Sequence, residues 1–193
     1  MVFRQTMGGG EKLTSDDALL ASIAANDNEA VKQFIQRYAK PLVQFAYSFI
    51  KDVDTCHDIA QETFYRVWQH AHRWHTDKVS VKTWVFRITY HLCIDEIRKR
   101  KAFTQSCVDI KHATEQYTDN LEHNFDQQSF YQQVLTQLAT LPEQQRIAIT
   151  LKAMANLKQK EIAYVMGLSE EAIESLIARG RRKLKQQLPE DST

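Results

Sequence analysis

The chain has 193 residues, room for one large domain or two small ones, and its 43% hydrophobic and 25% charged side chains are ordinary for a globular protein. Its 25 Lys and Arg nearly cancel 24 Asp and Glu, and the resulting net charge of +1 speaks, as an average, against a nucleic-acid binder. Five Gly (Gly8, Gly9 and Gly10 among them) and three Pro are too few for the turns of a β-rich fold, and they exclude collagenous and low-complexity classes. Cys56, Cys93 and Cys107 form an odd set without C-x-x-C spacing, which excludes a disulfide scaffold and fits a reducing compartment. No apolar run reaches the ~18 residues that span a bilayer. The segment MVFRQTMGGGEK lacks a signal-peptide core, so residues 1–13 are expected to be a disordered tail, with Met7 an alternative start, on a cytoplasmic protein without membrane insertion.

An all-α chain is expected, and its helices can be read in order. Ser15, with Asp16 and Asp17 behind it, caps a first helix carrying Leu19, Leu20 and Ile23. Val31, Phe34, Ile35 and Tyr38 recur at helical spacing, and Pro41 then opens another run with Leu42, Phe45, Ala46, Phe49 and Ile50. Asp54 or Thr55 caps the next helix, which runs through Ile59, Ala60, Phe64, Val67 and Trp68. A polar break from His75 to Lys82 precedes a helix with Trp84, Ile88, Leu92 and Ile97 that ends in Arg98-Lys99-Arg100-Lys101. A weak helical pattern follows around Phe130, Val134 and Leu138.

Cutting the chain by composition uncovers what the average charge hides. Residues 14–103 carry thirteen basic and eleven acidic side chains, and residues 142–188 carry nine and five. Residues 104–141 carry Lys111 alone against Asp109, Glu115, Asp119, Glu122 and Asp126. Two mildly basic blocks flank an acidic connector, the layout of two domains and a linker.

The most specific local signal is QKEIAYVMGLSEEAIESLIA, Gln159 to Ala178. Two short helices crossing closely need a small residue at the contact, here Ala163, and a residue tolerant of positive φ in the turn, here Gly167. Ile162, Met166, Leu168, Ile173 and Leu176 fall where the pair would bury them, and Ser169 is placed to cap the second helix with Glu170 and Glu171 in its first turn. Such a helix-turn-helix offers its second helix to a major groove. Arg179, Arg181, Arg182, Lys183 and Lys185 then supply cations for phosphates. Upstream, Trp68, Trp74 and Trp84 lie among Phe64, Tyr65, Phe86 and Tyr90, interleaved with Arg66, Arg73, Lys78, Lys82 and Arg87. Rings that stack bases beside cations that track phosphates suit single-stranded nucleic acid, although Trp68 and Trp84 equally suit an apolar core.

DIAQETFYRVW (Asp58–Trp68) and KTWVFRITYHLCIDEIRKRK (Lys82–Lys101) resemble the second domain of bacterial sigma factors of the short extracytoplasmic-function (ECF) type within the sigma-70 family. LPEQQRIAITLKAMANLKQKEIAYVMGLSEEAIESLIARGRRKL (Leu141–Leu184) resembles that family's fourth domain. The resemblance implies two small helical domains, 14–103 and 135–188, joined by a flexible acidic linker at 104–134. It implies a dissociable subunit, not an enzyme and without a cofactor or metal, that binds core RNA polymerase through the β′ clamp helices and the β subunit and directs it to promoters. Asp58, Gln61 and Glu62, at i, i+3 and i+4, would dock on the clamp helices. Trp84, Arg87, Tyr90, His91, Lys82 and Arg98 would read and melt the −10 element, with 75–82 as the base-capturing loop. Lys160, Glu171, Ser175, Arg179 and Arg182 would contact the −35 duplex.

Three departures from the family pattern matter. Tyr90-His91 stands where Arg-Asn is common, Glu174 and Leu176 stand where basic residues are common, and Cys56-His57-Asp58 replaces a frequent Ala-Glu-Asp, removing one acidic charge from the polymerase-facing patch. A phosphate on Thr55 or Thr63, added by a kinase, would restore that charge; the plainer role for these residues is capping and packing. An anti-sigma factor is the other candidate regulator. His70, His72 and His75, with His57, do not converge on one helical face and suggest no metal site. Two rivals remain open: a stand-alone helix-turn-helix regulator, and a sigma-like decoy that binds a regulatory protein.

Overall fold

The computed structural model describes residues 15–74, 79–106 and 133–187, and among them every regular element is helical. The tail 1–13, the positions 75–78 of the expected loop, and most of the acidic connector fall outside the described residues, as do Cys107, Lys111 and Phe130.

Helix α1 (Asp16–Ala24) is capped by Ser15, whose hydroxyl accepts from Ala18 N at 3.1 Å, and it buries Leu19, Leu20 and Ile23. Asp27 caps α2 (Asn28–Ile50), accepting from Glu29 N at 2.8 Å. Here the sequence expectation needs correcting, because α2 runs straight through Pro41. Proline removes one backbone donor and normally breaks a helix. The apolar stripe Phe34, Tyr38, Leu42, Phe45 stays in phase across it, however, and all four side chains are buried, so packing carries the helix past the lost bond.

Helix α3 (Val53–His70) is capped neither by Asp54 nor by Thr55 but by Asp52, whose carboxylate accepts from Thr55 N at 2.8 Å. Hydrogen bonds from Thr55, more than the nearby Arg100, hold the Asp52 carboxyl below the usual range. A short 3₁₀ turn (Ala71–Arg73) leads to α4 (Val81–Ser106), capped by Ser80 through Thr83 N at 3.2 Å. Helix α4 thus extends past the expected boundary at 103. These four helices close on Phe34, Phe45 and Phe86, with Phe86 edge-on to Phe45 at 5.5 Å between centroids.

Residues 133–139 are helical and bury Leu135 and Leu138. Helix α5 (Glu143–Ala153), α6 (Gln159–Met166) and α7 (Glu170–Gln187) form the second unit around Ile147, Leu151, Leu157, Ile162 and Ile173. The α6–α7 turn follows the sequence reading closely. Gly167 has φ 67° and ψ 35°, Ala163 is buried, and Ser169 Oγ accepts from Ala172 N at 3.2 Å. Gly180 lies so close to Ile149 that a Cβ would sit 2.4 Å from its Cδ1, which lets α7 press onto α5. Three other corners, Asn26, Lys51 and Asn156, take positive φ without glycine. Buried side chains of the two units join into one continuous core.

Gly167→Ala should cost roughly 1–2 kcal/mol, the penalty of a Cβ in the left-handed region, since nothing crowds the site itself. Urea unfolding followed by far-ultraviolet circular dichroism checks this, with loss of midpoint at unchanged slope.

Candidate nucleic-acid and polymerase interfaces

Helical geometry decides which side chains of α4 can act together. Trp84, Arg87, His91 and Arg98 share one stripe, with Tyr90 on its flank beside His91, ring centroids 5.3 Å apart. Lys82, in the first turn of α4, falls nearly opposite this stripe on the 3.6-residue period. Trp84 is half-buried and stacks at a tilt on Trp74, centroids 5.1 Å apart, while Trp68 is 51% exposed on α3. Partial burial, and then the charge of Arg87, lower the His91 pKa. The neutral imidazole is therefore favoured and can both donate and accept at a base edge.

The basic end of α4 divides by task. Arg100 is structural: its Nε donates to Glu96 Oε1 at 2.9 Å and its Nη2 to Thr55 Oγ1 at 2.8 Å, tying the end of α4 to the start of α3. Lys101 lies 3.3 Å from Glu143 on α5, and Arg98 and Lys99 point to solvent.

On α3, Asp58 and Gln61 are exposed and Glu62 is half-exposed, pairing with Arg66 at 2.7 Å. The stripe continues into Tyr65 and Trp68, both about half exposed. A groove between α3 and α4 sets Asp58 and Glu62 opposite Asp95 and Glu96, two acidic groups that the sequence reading did not assign. Of the departing triplet, Cys56 is fully buried and His57 exposed, so the absent acidic charge maps to His57. Burial pushes the Cys56 thiol up to about 12 and raises Cys93 as well, which keeps both thiols protonated.

The two threonines separate clearly. Thr55 is half-exposed at the start of α3. Thr63 is fully buried; its hydroxyl lies 2.8 Å from Ile59 O, to which it donates, and 3.2 Å from the Thr89 hydroxyl. A kinase has no access to Thr63 in this packing, which leaves that residue the plainer packing role and sets aside the phosphate alternative there.

On α7, Glu171, Ser175, Arg179 and Arg182 form one exposed stripe opposite the buried Ile173, Leu176, Ile177 and Gly180. Leu176 therefore faces the core and is not a missing DNA contact. Lys160 is exposed on α6. Lys183 is diverted to the carbonyl of Thr140 at 2.6 Å, leaving Arg179, Arg181, Arg182 and Lys185 outward.

The two units meet along α4 and α6, a contact that no local sequence pattern announced. Glu161 Oε1 accepts from Thr83 Oγ1 at 2.7 Å and from Ser80 Oγ at 3.1 Å, while its Oε2 accepts from Lys158 N at 2.8 Å, capping α6. Those hydrogen bonds outweigh partial burial and keep the Glu161 pKa below its ordinary value. The Arg87 guanidinium carbon lies 4.1 Å from the Tyr164 ring centroid, and that of Arg146 lies 5.6 Å from the Phe49 ring.

A four-helix unit carrying an aromatic-basic stripe, followed by a helix-turn-helix with an exposed second helix, defines a two-part DNA-reading protein. The family described as Sigma-70 region 2 matches residues 34–103, and Sigma-70, region 4 matches residues 131–184. The chain is 31% identical over 156 residues to the ECF RNA polymerase sigma factor SigM of Bacillus subtilis, covering 80% of this chain and 93% of the relative. It is 31% identical over 185 residues to the RNA polymerase sigma factor CnrH of Cupriavidus metallidurans, covering 91% and 96%. The solved structure of CnrH in complex with the cytosolic domain of CnrY superposes with a TM-score of 0.65 at 28% identity, covering 92% of this chain and 99% of that one. The sigma factor RpoE of Bartonella quintana, solved with the anti-sigma factor NepR, shares the fold at the same TM-score, with 24% identity and coverage of 83% and 99%. The chain belongs to the sigma-70 family and is a sigma factor of the ECF type, a subunit that joins core RNA polymerase and directs promoter-specific initiation.

Thr63→Asp should destabilise the protein by several kcal/mol, because it buries a carboxylate without a cationic partner, whereas Thr55→Asp should stay within about 1 kcal/mol on the exposed first turn of α3. Thermal unfolding of both variants tests the distinction between the two sites.

Proposed function

We propose a division of labour among the named side chains. Asp58, Gln61 and Glu62 on α3 dock core polymerase at the β′ clamp helices. Trp84, Arg87, Tyr90, His91 and Arg98 on α4 bind the −10 strand after melting. Lys160, Glu171, Ser175, Arg179 and Arg182 contact the −35 duplex. The observation that carries this reading is the exposed stripe on α7, four residues in phase on the second helix of a helix-turn-helix, with cations at its C-terminal half. Cations fix the helix on phosphates, and Ser175 and Glu171 face base edges, where a carboxylate accepts from cytosine N4.

Melting follows from differential binding, since α4 offers rings and cations to an unstacked strand that duplex DNA cannot present. The protein performs no chemistry of its own on this reading, and it acts in the cytoplasm, where its polymerase works. The domains run from 14 through the end of α4 and from the helical residues 133–139 to 188, and the acidic connector between them threads basic polymerase channels built for nucleic acid. Regulation by an anti-sigma factor is supported by the likeness to CnrH and RpoE, each solved with a protein partner. Thr55 is the candidate for a kinase, with the Arg100 guanidinium at hand for a phosphate.

Promoter-specific transcription with purified core polymerase tests the whole. Initiation at a defined start site supports it; DNA binding without initiation would mean a stand-alone regulator, and neither activity would mean a decoy. Asp58→Lys with Glu62→Lys should weaken polymerase binding by tenfold or more, about 1.4 kcal/mol, and spare −35 duplex binding. Arg182→Ala should weaken promoter binding across sequences and lower the slope of log affinity against log salt by about 1.

A further inference from the structure

Trp74 and Trp84 stack with ring centroids 5.1 Å apart and planes 35° apart, at the end of α4 where the stripe proposed for the −10 strand begins. Both rings are partly buried against the core. An indole at a surface has several rotamers, and only one that turns a face outward can stack an unpaired base. A restraint on the pair comes from α1: Asp17 Oδ1 accepts from Trp74 Nε1 at 3.3 Å, across 57 residues of sequence. Rotation of the Trp74 indole is thus stopped at its edge by Asp17 and at its face by Trp84. Its backbone is held by the 3₁₀ turn, where Trp74 N donates to Ala71 O at 3.1 Å.

Helix α1 is fixed in the rotation that this bond needs. Leu19, Leu20 and Ile23 bury one face, and Asp16 accepts from the Tyr38 hydroxyl and from Arg37 of α2, both at 2.5 Å. Asp17, one residue on, is turned by about 100° around the helix and reaches the end of the 3₁₀ turn. An acidic residue in a first turn ordinarily complements the helix dipole, which needs only its charge. A bond to a distant indole needs an acceptor atom in one place, so the two roles respond differently when the charge alone is removed.

We propose that Asp17 is a positioning residue of the −10 site. It acts through Trp74, holding that indole against Trp84 so that the Trp84 ring is set for an unstacked base before the strand arrives. The inference rests on the reading of α4 as the strand site.

The test uses holoenzyme assembled from the full chain and core RNA polymerase, with a fluorescent single-stranded oligonucleotide carrying the non-template −10 sequence of a promoter that holoenzyme uses. Asp17→Ala should weaken strand binding roughly three- to tenfold. Asp17→Asn loses the charge but keeps a carbonyl acceptor, and should stay within about twofold of wild type. The couplet that two coupled indoles give in the circular dichroism of the free chain should shrink in Asp17→Ala and persist in Asp17→Asn. Trp74→Phe keeps a ring without the N–H; it should weaken binding as Asp17→Ala does, and the two together should cost no more than either alone. It also removes the bond while leaving α1 intact, which keeps the test valid if Asp17→Ala folds poorly. Asp17→Ala and Trp74→Phe binding the strand like wild type, while Arg87→Ala loses it, would overturn the positioning role and leave the strand site standing. Asp17→Asn as weak as Asp17→Ala would reduce Asp17 to a helix-dipole charge and overturn it equally. If Arg87→Ala itself binds like wild type, α4 is not the strand site and the positioning role falls with that reading.

Discussion

Helix α4 has to satisfy three surroundings at once, and the rest of the structure is arranged around that demand. One side is core, where Val85, Phe86, Thr89 and Cys93 are buried. A second carries the partly exposed aromatic-basic stripe proposed for the −10 strand, and a third meets α6 through Thr83 and Arg87. A helix offers three such sides only while its rotation is fixed, and one residue of slip would drive Arg87 inward. Two contacts set the rotation: the edge-on Phe86–Phe45 pair, and the Thr89 hydroxyl, which donates to Val85 O at 3.0 Å and lies against Thr63. Aromatic edges are directional, and a buried hydroxyl pair tolerates little displacement before it loses its partners. Thr63 is thus better understood as the peg that orients α4 than as a surface feature of α3.

The same economy governs the charges. A net +1 is the sum of cations doing quite different things. Arg100 fastens two helices through Glu96, Thr55 and the carbonyl of Ile50, and Lys183 is tied to Thr140, while Arg179 and Arg182 face outward. In sequence Arg98-Lys99-Arg100-Lys101 reads as one basic cluster. In space its members look in different directions, so the electrostatic face of α4 is narrower than the run suggests.

Features set by neighbours in the chain were legible beforehand. Ser15 and Ser169 cap their helices, Gly167 makes the turn, and Ala163 fills the close crossing, because each obeys a rule that acts over four or five residues. Pro41 misled for the complementary reason. Its local penalty is real, but the burial of Phe34, Tyr38, Leu42 and Phe45 on one continuous stripe outweighs it. The cap at Asp52 instead of Asp54 shifts a boundary by two residues, within the range over which several Asp and Thr compete for the same orphan donors. Least legible was the α4–α6 seam, whose hydrogen bonds join residues 78 and 81 positions apart. The polar break from His75 to Lys82 marked the start of α4, but nothing local says that the Ser80 hydroxyl within it reaches a carboxylate on another unit. The α3 stripe proposed to dock polymerase had an evident period, whereas Asp95 and Glu96 come opposite it only through the packing of α4 on α3.

The corners at Asn26, Lys51 and Asn156 carry a further consequence. Each turns the chain in a left-handed conformation with a side chain where glycine would be easier. A non-glycine residue has fewer conformations to surrender when the chain orders, so these corners lose less entropy on folding than glycine corners would. They also resist bending once formed, which keeps the angles between α1 and α2, between α2 and α3, and between α5 and α6 set by the backbone itself. The backbone at these corners therefore sets the angles between the helices within each unit, independently of the contacts between the units.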